Sequence, residues 1–142
     1  MYFQYGDKEI EYLRSKDKKL AEVIDKVGHI DRTVDTDLFS SVVHHIIGQQ
    51  ISTKAQQTIW LRMNEKYGHV TPEVIDSADA AELQSLGMTF RKAEYIKDFS
   101  YKVVSGEFSL DAVWHMSDEE AVEALSSLKG VGVWTAEMIL LF

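Results

Sequence analysis

The amino-acid sequence predicts an all-α domain, and three observations support that class. A single proline, Pro72, occurs in 142 residues, so little interrupts a helix. Runs in which apolar and polar residues alternate, as in a half-buried strand, are scarce. Several stretches instead combine a capping side chain, apolar residues three and four positions apart and a closing glycine, a pattern typical of amphipathic helices. We therefore expect about eight to ten short helices and no sheet.

Three such stretches lie in the N-terminal half. "DKKLAEVIDKVG" begins at a capping Asp17 and ends at Gly28. "DTDLFSSVVHHIIG" places apolar residues in pairs four apart before Gly48. "STKAQQTIWLRMNEKYG" begins at a Ser52 cap and ends at Gly68. Each stretch predicts one helix that a glycine terminates.

Further helix signals follow in the C-terminal half. Thr71–Pro72 is a cap followed by proline at the first helical position. Asp79 opens a short helix, and "TFRKAEYIKDFSYKVVSG" carries an apolar face as far as Gly106. Ser117 and Glu120 have the spacing of a capping box. These signals predict at least four more helices.

Composition limits the class of protein. The chain has 45% hydrophobic residues and no repeat or linker, which suits one globular domain over residues 1–142. The absence of cysteine excludes disulfides, cysteine-ligated zinc and iron–sulfur clusters. No apolar run is long enough to predict a membrane span. Twenty-three acidic and 15 basic residues give a net charge of −8, which by itself argues against a nucleic-acid partner.

The stretch "LKGVGVWTAEMILLF", Leu128 to Phe142, contains a glycine hairpin between two predicted helices. Gly130 and Gly132 permit positive φ and leave no Cβ in the way of an approaching backbone. The second helix begins near Val133, where free N–H groups and the positive end of the helix dipole suit an anion such as DNA phosphate. Main-chain contacts need few basic side chains, so they fit an acidic protein. The alternative is a plain helix–helix turn with Val131 packed inside.

Three segments together resemble the helix-hairpin-helix DNA glycosylase superfamily. They are "LFSSVVHHIIGQQISTKA" at 38–55, "LGMTFRKAEYI" at 86–96 and the hairpin region at about 117–142. The tryptophan and "TA" after the second glycine are similar to the 3-methyladenine DNA glycosylase II branch. The segments follow the family's order and cover most of the chain. The resemblance implies an all-α, glycosylase-like helical fold.

The resemblance also implies an activity. Such enzymes in base excision repair flip a damaged base, here an alkylated one such as 3-methyladenine, out of double-stranded DNA and hydrolyse its N-glycosidic bond. Relatives with lyase activity carry a lysine at the position of Trp134, so a monofunctional enzyme without a cofactor or metal is expected. The expected compartment is the cytoplasm or nucleoid of a prokaryote or the nucleus of a eukaryote. The alternatives are a non-catalytic DNA-binding module with the same hairpin and, more weakly, a helical scaffold that binds no DNA.

Site residues follow from the same resemblance. The DNA-binding hairpin comprises Leu128, Lys129, Gly130, Val131, Gly132 and Thr135. The wedge that fills the vacated base stack comprises Gln49, Gln50, Ile51 and Ser52. Gln50 or Ile51 would enter the minor-groove side, whereas helix capping and buried hydrogen bonds are the alternative for the two glutamines. Trp134 and Met138 would line the base pocket, where an electron-rich ring can stack on a cationic purine. Core packing is the alternative for Trp134.

Departures from the family pattern lead to further expectations. Lys129 replaces the family's proline and adds a positive charge near the phosphate site. The family's catalytic aspartate follows the second hairpin helix, so the resemblance puts it beyond Phe142 and leaves no matching carboxylate in this chain. Residues 1–142 are therefore expected to lack the family's C-terminal helices, to be inactive alone and to expose apolar surface that favours self-association.

Two basic residues precede this region. Arg91 and Lys92 open a predicted helix, where positive charge opposes the helix dipole. Contact with phosphate would account for them, and so would a solvated helix face.

Overall fold

The computed structural model describes residues 1–142 and contains ten α-helices and no β-sheet, which confirms the predicted all-α class. The helices are α1 (Asp7–Lys16), α2 (Lys18–Val27), α3 (Leu38–Gly48), α4 (Thr53–Tyr67), α5 (Pro72–Ser77), α6 (Ala80–Gln84), α7 (Phe90–Ser105), α8 (Leu110–Val113), α9 (Asp118–Ser126) and α10 (Val133–Leu141). None of them combines the length and the apolar content that a bilayer crossing requires. The chain divides into two compact units, residues 1–36 with Phe142 and residues 37–141. The single domain predicted over residues 1–142 stays a prediction.

The predicted helix caps are present. The Asp17 carboxylate accepts hydrogen bonds from two backbone N–H groups in the first turn of α2. Ser52 and Thr71 likewise cap α4 and α5, and Ser117 forms a capping box with Glu120 at the start of α9. A cap satisfies N–H groups that have no partner inside the helix, so these short polar side chains fix where each helix begins.

The sequence patterns missed two helices. α1 starts after Gly6, which has no side chain to cap it, and the carboxylate of Glu9 accepts a hydrogen bond from the Gly6 N–H at 2.8 Å instead. α8 has only four residues, too few to show a helical period. Its cap, the Ser109 hydroxyl, accepts from the Ala112 N–H.

In the first unit, α1 and α2 bury none of their residues fully. An ion pair joins them, because Arg14 lies 2.6 Å from Asp25. The apolar face predicted for α2 is present but exposed at Leu20, Val23 and Val27.

The second unit is built around α3, which is apolar on nearly every side. Its buried residues are Leu38, Phe39, Ser40, Ser41, Val42, Val43, Ile46 and Ile47. α4, α7 and α10 pack on it, α5 and α6 pack on α7, and α9 packs on α10. Phe39 of α3 stacks on Phe99 of α7 with ring centroids 5.1 Å apart, and Phe108 meets the Phe99 ring edge-on at 5.7 Å. A largely buried helix thus fixes the positions of the helices around it.

We predict that Phe99→Ala lowers the free energy of unfolding by about 3–5 kcal/mol, because it removes a buried ring and leaves a cavity between Phe39 and Phe108. Tyr101→Ala, on the same helix but exposed, should change it by no more than about 0.5 kcal/mol. Urea unfolding followed by circular dichroism measures both. Similar losses for the two variants would contradict the packing described here.

Candidate nucleic-acid interface

The hairpin, residues 127–132, joins α9 to α10, and buried side chains hold it against the core. Leu128 and Val131 are only 4% and 5% exposed, and the Val131 N–H donates to the Leu128 carbonyl at 3.1 Å. Thr135, predicted to lie at the phosphate site, is also buried. These three residues hold the hairpin in the core, so the packing of Val131 expected for a plain turn is present. The surface that remains for a ligand belongs to Lys129 and Gly132, which are both exposed.

The two hairpin glycines have different roles. Gly130 has φ +81°, and a Cβ on it would lie 2.3 Å from Cδ2 of the Tyr95 ring. Gly132 does not have positive φ, and a Cβ there would meet nothing within 4 Å. Positive φ is therefore used at Gly130 and not at Gly132, whereas the close approach of another backbone at Gly132 stays a prediction. Internal geometry requires Gly130, whereas Gly132 leaves open space in front of the N-terminal end of α10.

Lys129 takes part in a small charge cluster. Its Nζ lies 3.2 Å from Oδ1 of Asp98, and Nζ of Lys102 lies 3.0 Å from Oδ2 of the same carboxylate. Burial opposes ionisation of Asp98, but hydrogen bonds from Lys102 and Lys129 outweigh it and hold the pKa of Asp98 below its ordinary value. The Lys129 side chain is 64% exposed, so its charge faces solvent beside a counter-charge.

The turn between α3 and α4, residues 49–52, contains the four predicted wedge residues, and we call it the wedge turn. Its residues differ in exposure and in their contacts. Gln50 is exposed and has φ +56°, in the left-handed region that residues other than glycine seldom adopt. Ile51 beside it is also exposed. Ser52 caps α4, where its Oγ accepts from the Ala55 N–H at 3.2 Å. Gln50 and Ile51 therefore form the exposed tip, which we call the wedge tip.

Gln49 points from the same turn to the hairpin. Its Nε2 donates to the Gly130 carbonyl at 2.6 Å. The alternative of a partly buried hydrogen bond, kept open for the glutamines, therefore holds for Gln49. This bond joins the wedge turn to the hairpin directly.

Lys92 also turns inward. From the sequence it is expected either to contact phosphate or to lie on a solvated helix face, and it does neither in this structure. Its Nζ donates to the Ile47 carbonyl at 2.8 Å and to the Gln49 carbonyl at 2.6 Å, at the C-terminal end of α3. Burial lowers the pKa of the Lys92 ammonium. Its neighbour Arg91 is exposed. The charge of Lys92 therefore serves the protein's own carbonyl groups, while that of Arg91 faces solvent.

An open cleft of about 420 Å³ is lined by residues of the wedge turn, α7 and the hairpin. Its lining consists of Gln49, Gln50, Ile51, Thr89, Arg91, Lys92, Tyr95 and Gly130. Tyr95 and Asp98 were not assigned to the site from sequence, although Tyr95 follows Lys92 by three residues and Asp98 follows Tyr95 by three, so each is a neighbour of the one before it on α7.

The predicted base-pocket residues lie on α10. Trp134 is 69% exposed, so core packing does not account for it, and Met138 one turn later is half-buried. Glu137 lines a separate groove with Asp118 and Glu119 of α9. The structure contains no group of three His, Asp or Glu side chains that could hold a metal ion.

Comparisons with known proteins agree with this geometry. Residues 43–138 match the family model described as "HhH-GPD superfamily base excision DNA repair protein". A putative DNA-3-methyladenine glycosylase, YfjP, of Bacillus subtilis is 28% identical over 131 residues, which cover 87% of this chain and 46% of that protein. The chain spans about half the length of these curated relatives.

Two solved structures are similar along almost the whole chain. The DNA-3-methyladenine glycosidase of Bacillus halodurans has a TM-score of 0.81 and 29% identity, and the match covers 100% of this chain and 66% of that one. The 3-methyladenine DNA glycosylase Mag1 of Schizosaccharomyces pombe, solved in complex with abasic DNA, has a TM-score of 0.82 and 27% identity, with 94% and 68% covered. The family model alone matches more than half of the chain. The chain therefore belongs to the HhH-GPD superfamily of base-excision DNA repair proteins.

Proposed function

We propose that this chain acts in a DNA repair glycosylase of the 3-methyladenine type, which excises alkylated bases from double-stranded DNA. One observation carries the proposal. The hairpin has an open surface at Gly132, the wedge tip is exposed, and the hydrogen bond from Gln49 to the Gly130 carbonyl holds the two together. Base flipping needs a grip on the backbone and an insert for the vacated stack in a fixed relation to one another. The names of the similar proteins support the same activity.

Each part has a proposed task. The free N–H groups at the start of α10 bind a phosphate in front of Gly132, with Lys129 adding charge. Gln50 and Ile51 fill the space that the flipped base leaves. The exposed ring of Trp134 stacks on the cationic base, and Met138 packs beside it.

The chemistry itself requires an anion. Breaking an N-glycosidic bond builds positive charge on the sugar, which a nearby carboxylate stabilises. An alkylated purine already carries positive charge and leaves without first being protonated. The family resemblance assigns the carboxylate to an aspartate that follows α10. Since position 134 is a tryptophan, no Schiff base forms there, and we propose hydrolysis without lyase activity.

Two further properties belong to the proposal. Because the net charge is −8, duplex binding should depend on local main-chain donors and be sensitive to salt. The exposed apolar residues of α2 favour self-association of the chain.

We predict that Gly132→Ala weakens binding to a duplex with an abasic-site analogue by about tenfold, because a Cβ blocks the phosphate and costs about one charge-assisted hydrogen bond. The thermal midpoint should not change, since the Cβ meets no protein atom within 4 Å. Fluorescence anisotropy at fixed low salt measures the affinity. Gly6→Ala is the matched control, because its Cβ has comparable room.

Gly130→Ala should behave differently from Gly132→Ala. It must lower the thermal midpoint, because it strains φ +81° and forces the Tyr95 ring to move. If Gly132→Ala binds duplex as tightly as the parent chain, the hairpin is not the phosphate site.

A charge pair provides a second prediction. Lys129→Ala should weaken duplex binding and make the dependence of log K on log[salt] shallower by about one ion. Asp98→Asn should strengthen binding at low salt, because it removes the counter-charge 3.2 Å from Nζ of Lys129. Titrations at several salt concentrations measure both effects. If Lys129→Ala leaves the slope of log K against log[salt] unchanged, this lysine does not contact the DNA phosphates.

Excision is the decisive test of the function. We predict that residues 1–142 alone release no 3-methyladenine from alkylated duplex DNA, because the family resemblance finds no counterpart of the catalytic aspartate among them; a longer chain that carries such an aspartate after the second hairpin helix should release the base. Replacing that aspartate by asparagine should abolish release again. Chromatography of the released bases, with protein from a glycosylase-deficient host, measures the activity. Release by residues 1–142 would place the catalytic group within them, and binding without release by either chain would favour the non-catalytic DNA-binding module.

A further inference from the structure

Lys92 occupies a place that helix stability does not explain. It is the third residue of α7, where a positive charge opposes the helix dipole. Burial of its ammonium adds a desolvation cost, which is why its pKa is lowered. A lysine at this position must therefore gain its stabilisation from another element.

That element is the C-terminal end of α3. The last carbonyl groups of a helix have no partner inside it, and they carry the negative end of the helix dipole. The Lys92 ammonium donates to two such carbonyls, of Ile47 and Gln49, at 2.8 and 2.6 Å. These charge-assisted bonds fix the chain immediately before the left-handed Gln50.

The contacts continue to the hairpin and return to α7. The Gln49 side chain donates to the Gly130 carbonyl at 2.6 Å. Gly130 lies so close to the Tyr95 ring that no Cβ fits between them. Tyr95 follows Lys92 by three residues on α7, so the two side chains share one helix face. One face of α7 therefore supports the wedge turn through Lys92 and the hairpin through Tyr95.

We infer that Lys92 is a positioning residue for base opening: it holds the Gln49–Gln50 turn at a fixed place relative to the hairpin, so that the wedge tip enters the stack while the hairpin grips the backbone. This inference rests on the proposed function. Lys92 touches neither DNA nor the base in this role, and it acts through Gln49. The left-handed backbone at Gln50 requires such support, because strained φ/ψ values persist only where the surroundings determine them.

The chain offers a closely matched control on the same helix. The ammonium of Lys97 also donates to two backbone carbonyls, those of Ile75 and Asp76 at the end of α5. Lys97→Met and Lys92→Met thus remove the same kind of contact, but only Lys92→Met removes it from the wedge turn. Lys92→Arg restores a positive donor.

The first measurement needs no DNA. Amide hydrogen exchange of residues 48–53 in the intact chain should become at least about tenfold faster in Lys92→Met, the order expected from losing a charge-assisted hydrogen bond. Lys97→Met should instead accelerate exchange near residues 75–78. If amide exchange at residues 48–53 is unchanged in Lys92→Met, the inference is wrong, and this result does not depend on whether the protein binds or opens DNA.

The second measurement separates opening from binding. A duplex with 2-aminopurine beside an abasic-site analogue reports base opening by fluorescence, and its anisotropy reports affinity. Lys92→Met should lose opening by about tenfold, as should Gln50→Ala, while duplex affinity changes by less than about twofold. Lys92→Arg should recover most of the opening, and Lys97→Met should retain it.

The outcomes distinguish this inference from the proposed function. If the parent chain binds duplex without opening it, the proposed flipping role fails, and the exchange experiment still decides whether Lys92 holds the turn. If opening and affinity fall together in Lys92→Met and equally in Lys97→Met, the role of Lys92 is merely structural and the inference is wrong.

Discussion

The burial of α3 is the constraint on which the second unit depends. Phe39, Val42, Val43, Ile46 and Ile47 leave it almost no polar face, so other helices must cover it. α4, α7 and α10 do so, and all three begin beside the candidate interface. The wedge turn extends from the C-terminal end of α3, and the hairpin leads into α10. The hydrophobic core therefore determines where the backbone of the candidate interface lies, although the core side chains themselves are buried.

Local signals account for what the sequence predicted well. Caps and glycine stops act within four or five residues, so Asp17, Ser52 and Gly106 mark helix ends regardless of tertiary context. The exception at Gly6 shows the same physics, since a side chain three residues later replaces the missing cap. The family motifs point to the hairpin and to the turn between α3 and α4, and both lie within residues 43–138, which match the family model.

Long-range contacts account for what the sequence did not predict. Nothing local shows that Lys92 reaches back to Gln49, or that Tyr95 lies against Gly130, because these pairs are 43 and 35 residues apart. The same limit explains why the two hairpin glycines looked equivalent, since they differ in φ and in their distance from the Tyr95 ring, and the fold determines both. The acidic net charge does not exclude the proposed interface for a related reason: main-chain N–H groups at a helix start contribute nothing to a count of ionisable residues.

At Gln50, which has a left-handed backbone, stability favours a glycine, whereas the proposed function favours a side chain. Glycine would adopt φ +56° freely, whereas a glutamine there costs about 1 kcal/mol. Stability alone would therefore favour losing the side chain, and only a task for that side chain would retain it. A search for thermostable variants of this domain would select against Gln50 first, and would thereby remove the exposed side chain that we propose for the wedge tip.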